Sequence, residues 1–194
     1  MAGLMDLMRY IGINKDETQK IPNQKEGAKP QSGLFGLASS SNEPNYYNKL
    51  IDYEGLETEV YDDHKGIPTI GIGHRIMPGD DFTGYTKKDF EKLFVEKDLP
   101  KYIKRTKNLV RDFDKLPASL KEEMVSSVFR GGLSGSPKTL ELINEGKYQE
   151  AADEFLNNDE YRAAKKWEIE NNQRHGVARR MENLYKELKM LNRR

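Results

Sequence analysis

The sequence predicts an α+β fold, with one small antiparallel sheet near the start of the folded part and helices after it. Two patterns support this expectation. Between Val60 and His74, β-branched residues alternate around Lys65-Gly66, a pair that suits a hairpin turn. From Pro117 onwards, apolar residues recur at the three- and four-residue spacing of helices, and no internal repeat is visible.

The elements of the first half are predicted from their end signals. A first helix is expected over residues 45–56, where apolar residues have helical spacing and Gly55 is a stop signal. A second helix is expected to begin at Thr86, because Asp89 can reach back to complete a capping box. Pro100 should kink or divide that helix, since proline has no N–H to donate.

Later helices are predicted from periodicity together with proline and glycine. One is opened by Pro117, one is capped by Ser136-Pro137 and stops at Gly146, one covers Tyr148–Leu156, and the last covers 176–191. The apolar pattern of segment 157–173 does not indicate which other elements it contacts.

Composition excludes several classes of function. The chain has 194 residues with 32 Lys and Arg against 32 Asp and Glu, so a uniformly basic nucleic-acid binder is not expected. It has no cysteine, which excludes disulfides, thiolate metal sites and a cysteine nucleophile. Because the chain has only three histidines, an all-histidine zinc site is not expected. We expect no membrane span and no signal peptide, because the start lacks a basic segment and an uninterrupted apolar run.

Residues 1–43 are predicted to be an N-terminal extension or tether, and residues 44–194 a single domain. The extension is rich in Lys, Gln, Asn, Ser, Gly and Pro, and such a composition cannot bury enough apolar surface to offset its ordering entropy. The alternative to a disordered leader is a docking peptide for a partner. Its apolar face would be Leu4, Leu7, Met8 and Ile11, which have helical spacing.

An acidic segment carries the first candidates for chemistry. Residues 52–63 contain six Asp and Glu, and a solvated acidic face explains most of them. Glu54 differs because it lies near a helix end beside apolar residues, where partial burial favours the protonated carboxyl. Asp63 lies at the hairpin, where solvent and turn amides favour the ionised form. Two carboxyl groups in such contrasting environments are what glycoside hydrolysis requires.

The segment 69–74 adds a surface beside these carboxyl groups. Read as one strand, it places two isoleucines and His74 on a core face. The other face carries Thr69, Gly71 and Gly73. Because the two glycines have no side chains, this face is expected to be flat enough for a sugar ring to approach the backbone. A bulge or twist in a short strand explains the glycines equally well, and both explanations can hold.

His74 is expected to be a structural residue rather than a catalytic one, because it falls on the core face of that strand. Its predicted partner is an acid on the following helix. Asp98 is the first choice and Glu96 the second.

Taken together, Glu54-Gly-Leu, Tyr61-x-Asp63 and 69–74, which reads Thr-Ile-Gly-Ile-Gly-His, resemble the active-site signature of the phage-type lysozyme family. Further stretches resemble the family's connecting helix, its helical lobe and its C-terminal basic helix, so the resemblance runs from about residue 44 to the end. It implies a lysozyme-like α+β fold, in which a long helix joins a small antiparallel sheet lobe to a larger helical lobe.

The resemblance implies hydrolysis of the β-1,4 bond between N-acetylmuramic acid and N-acetylglucosamine in bacterial peptidoglycan, with inversion and without cofactor or metal. In that family, the position of Glu54 is the general acid. Asp63 would hold or activate the attacking water, and Thr69 would help to position it. Substrate contacts would fall to Gly71, Gly73, Phe129 and Arg130.

Two features depart from the family pattern. Arg130 follows Phe129 where relatives usually place Asn or Gln. The arginine that pairs with the acid in relatives has no clean equivalent, and Arg174 and Arg179 are the candidates.

Several functional settings remain open. The enzyme could be an endolysin that reaches the cell wall from the host cytoplasm after holin release, or a virion-associated lysozyme whose residues 1–43 bind a virion protein. A non-catalytic virion protein with a lysozyme-fold module is the competing class, and a lytic transglycosylase, which would dispense with Asp63, is a third. Residues 161–194 hold ten Lys and Arg against four Glu, a charge that either attracts anionic envelope polymers or simply complements helix C-termini. Nucleic acid is not an expected partner, because no recognition motif is present.

Overall fold

The computed structural model describes residues 43–63 and 66–191. The predicted extension, up to residue 42, and Lys65 of the predicted hairpin turn lie outside the described residues. The first half contains α1 (Tyr46–Glu54), β1 (Glu57–Asp62), β2 (Pro68–Gly71), β3 (His74–Arg75), α2 (Lys87–Leu93), a π-helical segment (Phe94–Asp98) and α3 (Leu99–Leu109). The second half contains α4 (Ala118–Arg130), α5 (Pro137–Asn144), α6 (Tyr148–Leu156), α7 (Asp159–Asn171) and α8 (Gly176–Met190), with 3-10 turns at Phe113–Lys115 and Leu133–Gly135.

The three strands form one antiparallel sheet in the order β1-β2-β3, as the α+β prediction requires. Tyr61 of β1 lies opposite Thr69 of β2, and the register is irregular between Glu57 and Tyr61. Such an irregularity bends a strand and changes the direction of its side chains.

The prediction of one continuous strand over 69–74 is wrong. Gly71 and Gly73 both have a φ of +67°, a backbone conformation that glycine adopts without steric cost. The chain therefore turns at Ile72, and His74 pairs back onto Ile70 instead of continuing the strand. The alternation of faces stops at Gly71, although Ile70 and Ile72 are both buried as expected.

The helix that joins the sheet to the helical lobe begins as predicted. Thr86 and Asp89 form a capping box, with the Asp89 N–H donating to Thr86 Oγ1 and the Thr86 N–H to Asp89 Oδ2. The helix is divided as expected near Pro100, which cannot donate to the carbonyl four residues back. The division takes the form of the π-helical segment, where the Leu99 N–H bonds to the Phe94 carbonyl.

The helical lobe has one core, at whose centre α4 lies. α8 packs against α4, α6 and α7, and its buried face contains Met181, Leu184 and Leu188. Met124 of α4 is completely buried, so truncating it to alanine should cost about 2–5 kcal/mol. This lobe supplies the rigid support on which α1 rests, since α1 packs against α4.

Some element ends differ from the sequence prediction. Ser136 precedes α5, but its hydroxyl donates to the Gly132 carbonyl at 2.9 Å and does not cap the helix. That helix ends at Asn144, before Gly146. The unassigned segment 157–173 contains α7, whose N-cap is Asn158. Within the described part of the chain, no helix has the length and apolar character needed to cross a membrane.

Candidate active site

Glu54 is the last residue of α1, and Gly55 ends the helix with a φ of +70°. The Glu54 side chain is 24% exposed. Arg180 of α8 reaches it with one guanidinium nitrogen and binds the Tyr53 carbonyl with another. The bidentate guanidinium therefore fixes both the carboxylate and the open end of the helix that carries it.

This pairing corrects the sequence expectation about the arginine. Arg174 binds Glu182 at 2.7 Å, and Arg179 lies 3.5 Å from Asp52 Oδ2, so neither candidate pairs with Glu54. Sequence spacing does not report how α8 packs against α1, and this packing brings Arg180 to Glu54 and Arg179 to Asp52.

Asp63 follows β1 directly and is held by the turn that joins β1 to β2. The Ile67 N–H donates to Asp63 Oδ1 at 2.9 Å, and the Gly66 N–H donates to the Asp63 carbonyl at 2.8 Å. The Asp63 N–H closes the turn by donating to the Ile67 carbonyl at 3.0 Å. The expected turn amide is therefore present, while the preceding Asp62 is exposed on the strand.

Thr69 lies on β2 and is 4% exposed. Its Oγ1 donates to the Ile67 carbonyl at 2.8 Å, so the oxygen keeps lone pairs with which it can accept a further hydrogen bond. Asp63 and Thr69 thus bind the two polar groups of the same residue, Ile67. This shared contact links the two side chains within the local turn.

Tyr61 is a site residue that the sequence reasoning treated only as part of a motif. Burial raises the pKa of its phenol, and the charges of Glu54, Glu57 and Asp63 raise it further. Its ring therefore lies within electrostatic reach of both predicted catalytic carboxyl groups. The signal was present in the spacing Tyr61-x-Asp63, since alternate residues of a strand share a face.

Gly71 and Gly73 are packed against aromatic rings of the protein itself. A Cβ atom at Gly71 would lie 3.1 Å from Phe90 Cδ1, and one at Gly73 would lie 2.8 Å from Phe129 Cζ. The expectation of a bare surface on this side of both glycines is therefore wrong, because phenylalanine rings fill that space. A contact between their backbone and a sugar stays a prediction.

Phe129 and Arg130 close α4 beside this turn. The Phe129 ring is half-buried, with its centroid 4.6 Å from that of Tyr102. Arg130 donates to both carboxylate oxygens of Glu160, at 2.9 Å and 2.7 Å. The guanidinium that the sequence assigned to substrate thus links α4 to the start of α7, and its contact with substrate stays a prediction.

The predicted pairing of His74 with Asp98 is confirmed. Its Nδ1 lies 2.6 Å from Asp98 Oδ2, and the two side chains are 15% and 10% exposed. Lys101 binds the other oxygen of Asp98 at 3.0 Å. The pair joins the sheet to the π-helical segment. Among residues 43–63 and 66–191, no cluster of three or more His, Asp or Glu is arranged to hold a metal ion.

Comparison with known proteins agrees with this architecture. The phage lysozyme family profile matches residues 51–183, a span that contains Glu54, Asp63, Thr69 and Arg180. No curated protein gives a significant match to the chain. The matched span covers the three-stranded sheet, the connecting helix and most of the helical lobe. The chain therefore belongs to the phage lysozyme family, which implies a glycoside hydrolase that acts on peptidoglycan.

Proposed function

We propose that this protein cleaves the β-1,4 bond between N-acetylmuramic acid and N-acetylglucosamine in peptidoglycan, with inversion at the anomeric carbon. The observation that carries the proposal is that the fold holds both carboxyl groups of the family signature in place. Glu54 is partly buried at a helix end and paired with Arg180, and Asp63 lies in a turn and is held by a backbone amide. Glycoside hydrolysis uses two such carboxyl groups, one as the acid and the other as the base.

In the proposed reaction, Glu54 gives its proton to the glycosidic oxygen as the bond to the anomeric carbon breaks. Arg180 stabilises the carboxylate that this step leaves behind. A water molecule attacks the anomeric carbon from the opposite face, and its proton passes to Asp63. Thr69 positions that water, because the lone pairs of its Oγ1 remain available while its proton is bound to Ile67.

The test of enzymatic function is lysis of purified peptidoglycan in a zymogram by the wild type, Glu54→Gln and Glu59→Gln. The amide in Glu54→Gln is isosteric but has no proton to give, so activity should fall by about 10²–10⁴-fold or more with an unchanged thermal midpoint. Glu59 is exposed on β1 and serves as the matched control, with wild-type lysis expected. Lysis by Glu54→Gln would contradict the assignment, and no lysis by the wild type would favour the non-catalytic virion module.

The stereochemical outcome separates the proposed mechanism from its alternatives. NMR of the fresh product should show the inverted anomer, because the water attacks opposite the leaving group. A retained anomer would contradict the role of Asp63 in activating water. An anhydro product would identify a lytic transglycosylase, which needs no attacking water.

For the biological setting, we propose a virion-associated lysozyme of phage origin, which residues 1–43 attach to a virion protein. The support is compositional, since this stretch is a candidate docking tether in addition to the domain. Immunodetection in purified virions, compared with the soluble lysate of infected cells, tests the proposal. Presence only in the lysate would favour an endolysin that leaves the host cytoplasm through a holin.

A further inference from the structure

Tyr53, the residue before the proposed acid, lies at the centre of a group of cations. The guanidinium carbons of Arg179 and Arg180 lie 5.0 Å and 4.8 Å from the centroid of its ring. Lys49 Nζ lies 5.7 Å from the same centroid. The ring faces attract these cations, so the position of the ring helps to set the position of Arg180.

The hydroxyl group of Tyr53 is anchored from two other helices. Asn183 Nδ2 of α8 donates to it, and the hydroxyl donates to the Glu123 carboxylate of α4, whose oxygens lie 3.2 Å away. Glu123 is 5% exposed and also accepts from Lys49 Nζ at 2.8 Å. A buried carboxylate of this kind is retained only where its hydrogen bonds are satisfied, and here Tyr53 and Lys49 satisfy them.

These contacts form a continuous path from the interior of the helical lobe to the site. Glu123 holds the Tyr53 hydroxyl, the Tyr53 ring and carbonyl hold Arg180, and Arg180 holds Glu54. Glu123 and Arg180 also line one small cavity, together with Arg130.

We propose that Glu123 is a positioning residue for Glu54, which acts through Tyr53 on the guanidinium of Arg180. The inference rests on the proposed function, because it assigns a role to a group that does not itself touch substrate. It predicts that losing the hydroxyl link loosens Arg180, so that the Glu54 carboxyl is positioned less precisely for the reaction.

Charged groups on the neighbouring helices and on β1 lie near both ends of this path, at Glu123 and at Glu54. Around Glu123 they are Lys49 and Tyr53 on α1, Glu122 on α4 and Glu187 on α8. Burial raises the pKa of Glu123, and the charge of Glu187 raises it further, whereas Lys49 and Tyr53 lower it. Around Glu54 they are Arg180 on α8 and Tyr61 on β1, with Asp63 acting on the same phenol.

The experiment compares the full-length wild type with Glu123→Gln, Tyr53→Phe and Glu122→Gln. Two readouts are used: kcat and KM of peptidoglycan lysis, and the guanidinium Nε–H signal of Arg180 by NMR in protein labelled at arginine. In Glu123→Gln and Tyr53→Phe, kcat should fall by about threefold or more with KM unchanged, because a loosely held acid is positioned less well for the reaction. The Arg180 signal should shift or broaden in the same two variants, since the guanidinium no longer packs on an anchored ring.

Glu122 is the matched control. It neighbours Glu123 on the same helix, and burial raises its pKa too, but it accepts from the Asn45 N–H at 2.6 Å. Glu122→Gln should leave kcat, KM and the Arg180 signal unchanged. A merely structural role for Glu123 would lower the thermal midpoint of Glu123→Gln and Tyr53→Phe without changing kcat or the Arg180 signal.

Tyr53→Phe keeps the ring and loses only the hydroxyl, so an Arg180 signal identical in this variant and in the wild type would overturn the proposal even if Glu123→Gln does not fold. The NMR signal does not depend on catalysis, so it tests the path independently. Retained lysis by Glu54→Gln would overturn the proposed function while leaving the linkage between Glu123 and Arg180 measurable.

Discussion

Glu54 and Asp63 are held in opposite ways. Arg180, which binds Glu54, lies 126 positions away in the sequence and comes from the last helix of the domain. Asp63 is held by the amide of Ile67, only four positions away, within a single turn. The comparison teaches that the proposed acid depends on the assembly of the helical lobe, whereas the proposed base depends on local backbone structure.

The largest expected effect tests Asp63, the carboxylate held by its own turn. Asp63→Asn should reduce peptidoglycan lysis by roughly 10²–10⁴-fold, because an amide cannot take the proton of the attacking water. Asp62→Asn is the matched control and should be mild, since Asp62 is exposed on β1. Turbidity assays on the same peptidoglycan measure both, and equal losses would show that the wrong carboxylate has been assigned.

A smaller effect tests the contact between Glu54 and Arg180, which is distant in the sequence. Arg180→Met should lower lysis by about ten- to a hundredfold, because Glu54 and the Tyr53 carbonyl lose their common partner. Arg180→Lys should rescue only part of the rate, since one ammonium cannot reproduce the planar fork of a guanidinium. Arg179→Met, which removes the same charge from the same helix, is expected to retain most of the activity. Equal rates in the two Met variants would contradict the specific pairing.

The third prediction concerns stability rather than activity. Asp98→Asn should cost about 2 kcal/mol, since a charged hydrogen bond to a half-buried histidine is replaced by a neutral one. For a protein of this size the thermal midpoint should fall by roughly 5 °C. Glu96→Gln is the control, because Asp98 and not Glu96 binds His74. A midpoint unchanged in Asp98→Asn would show that the pair contributes nothing to folding.

The smallest expected effect is that of deleting residues 1–43. The family match begins at residue 51, and the predicted catalytic residues all follow it. Lysis of isolated peptidoglycan by the truncated protein should therefore remain close to wild type, while incorporation into virions should be lost. A truncated protein that fails to fold would show that the extension packs on the domain.

The same contrast explains what the sequence could predict. The capping box of Thr86 and Asp89 and the turn contacts of Asp63 involve residues a few positions apart, so local pattern was sufficient. The His74–Asp98 pair was also accessible, because a strand and the helix after it define a short list of acids. Arg180 was missed, since its choice depends on the rotation of α8 against α1.

Two other errors have a steric origin. Alternation over 69–74 predicted one strand, but positive φ angles at Gly71 and Gly73 turn the chain, and spacing does not report backbone angles. The side of Gly71 and Gly73 that was expected to be bare is covered by Phe90 and Phe129, which come from helices elsewhere in the chain. Side-chain volume supplied by another element cannot be derived from the segment that it covers.

The contact of Gly73 with Phe129 links the side-chain sizes that these two positions can accept. Any side chain at 73 would have to displace the ring, and the φ of +67° disfavours it further. A small residue at 129 would leave a void costing about 3 kcal/mol if the site does not collapse. A side chain at 73 and a full-sized ring at 129 therefore compete for the same volume, so the two positions are expected to change together.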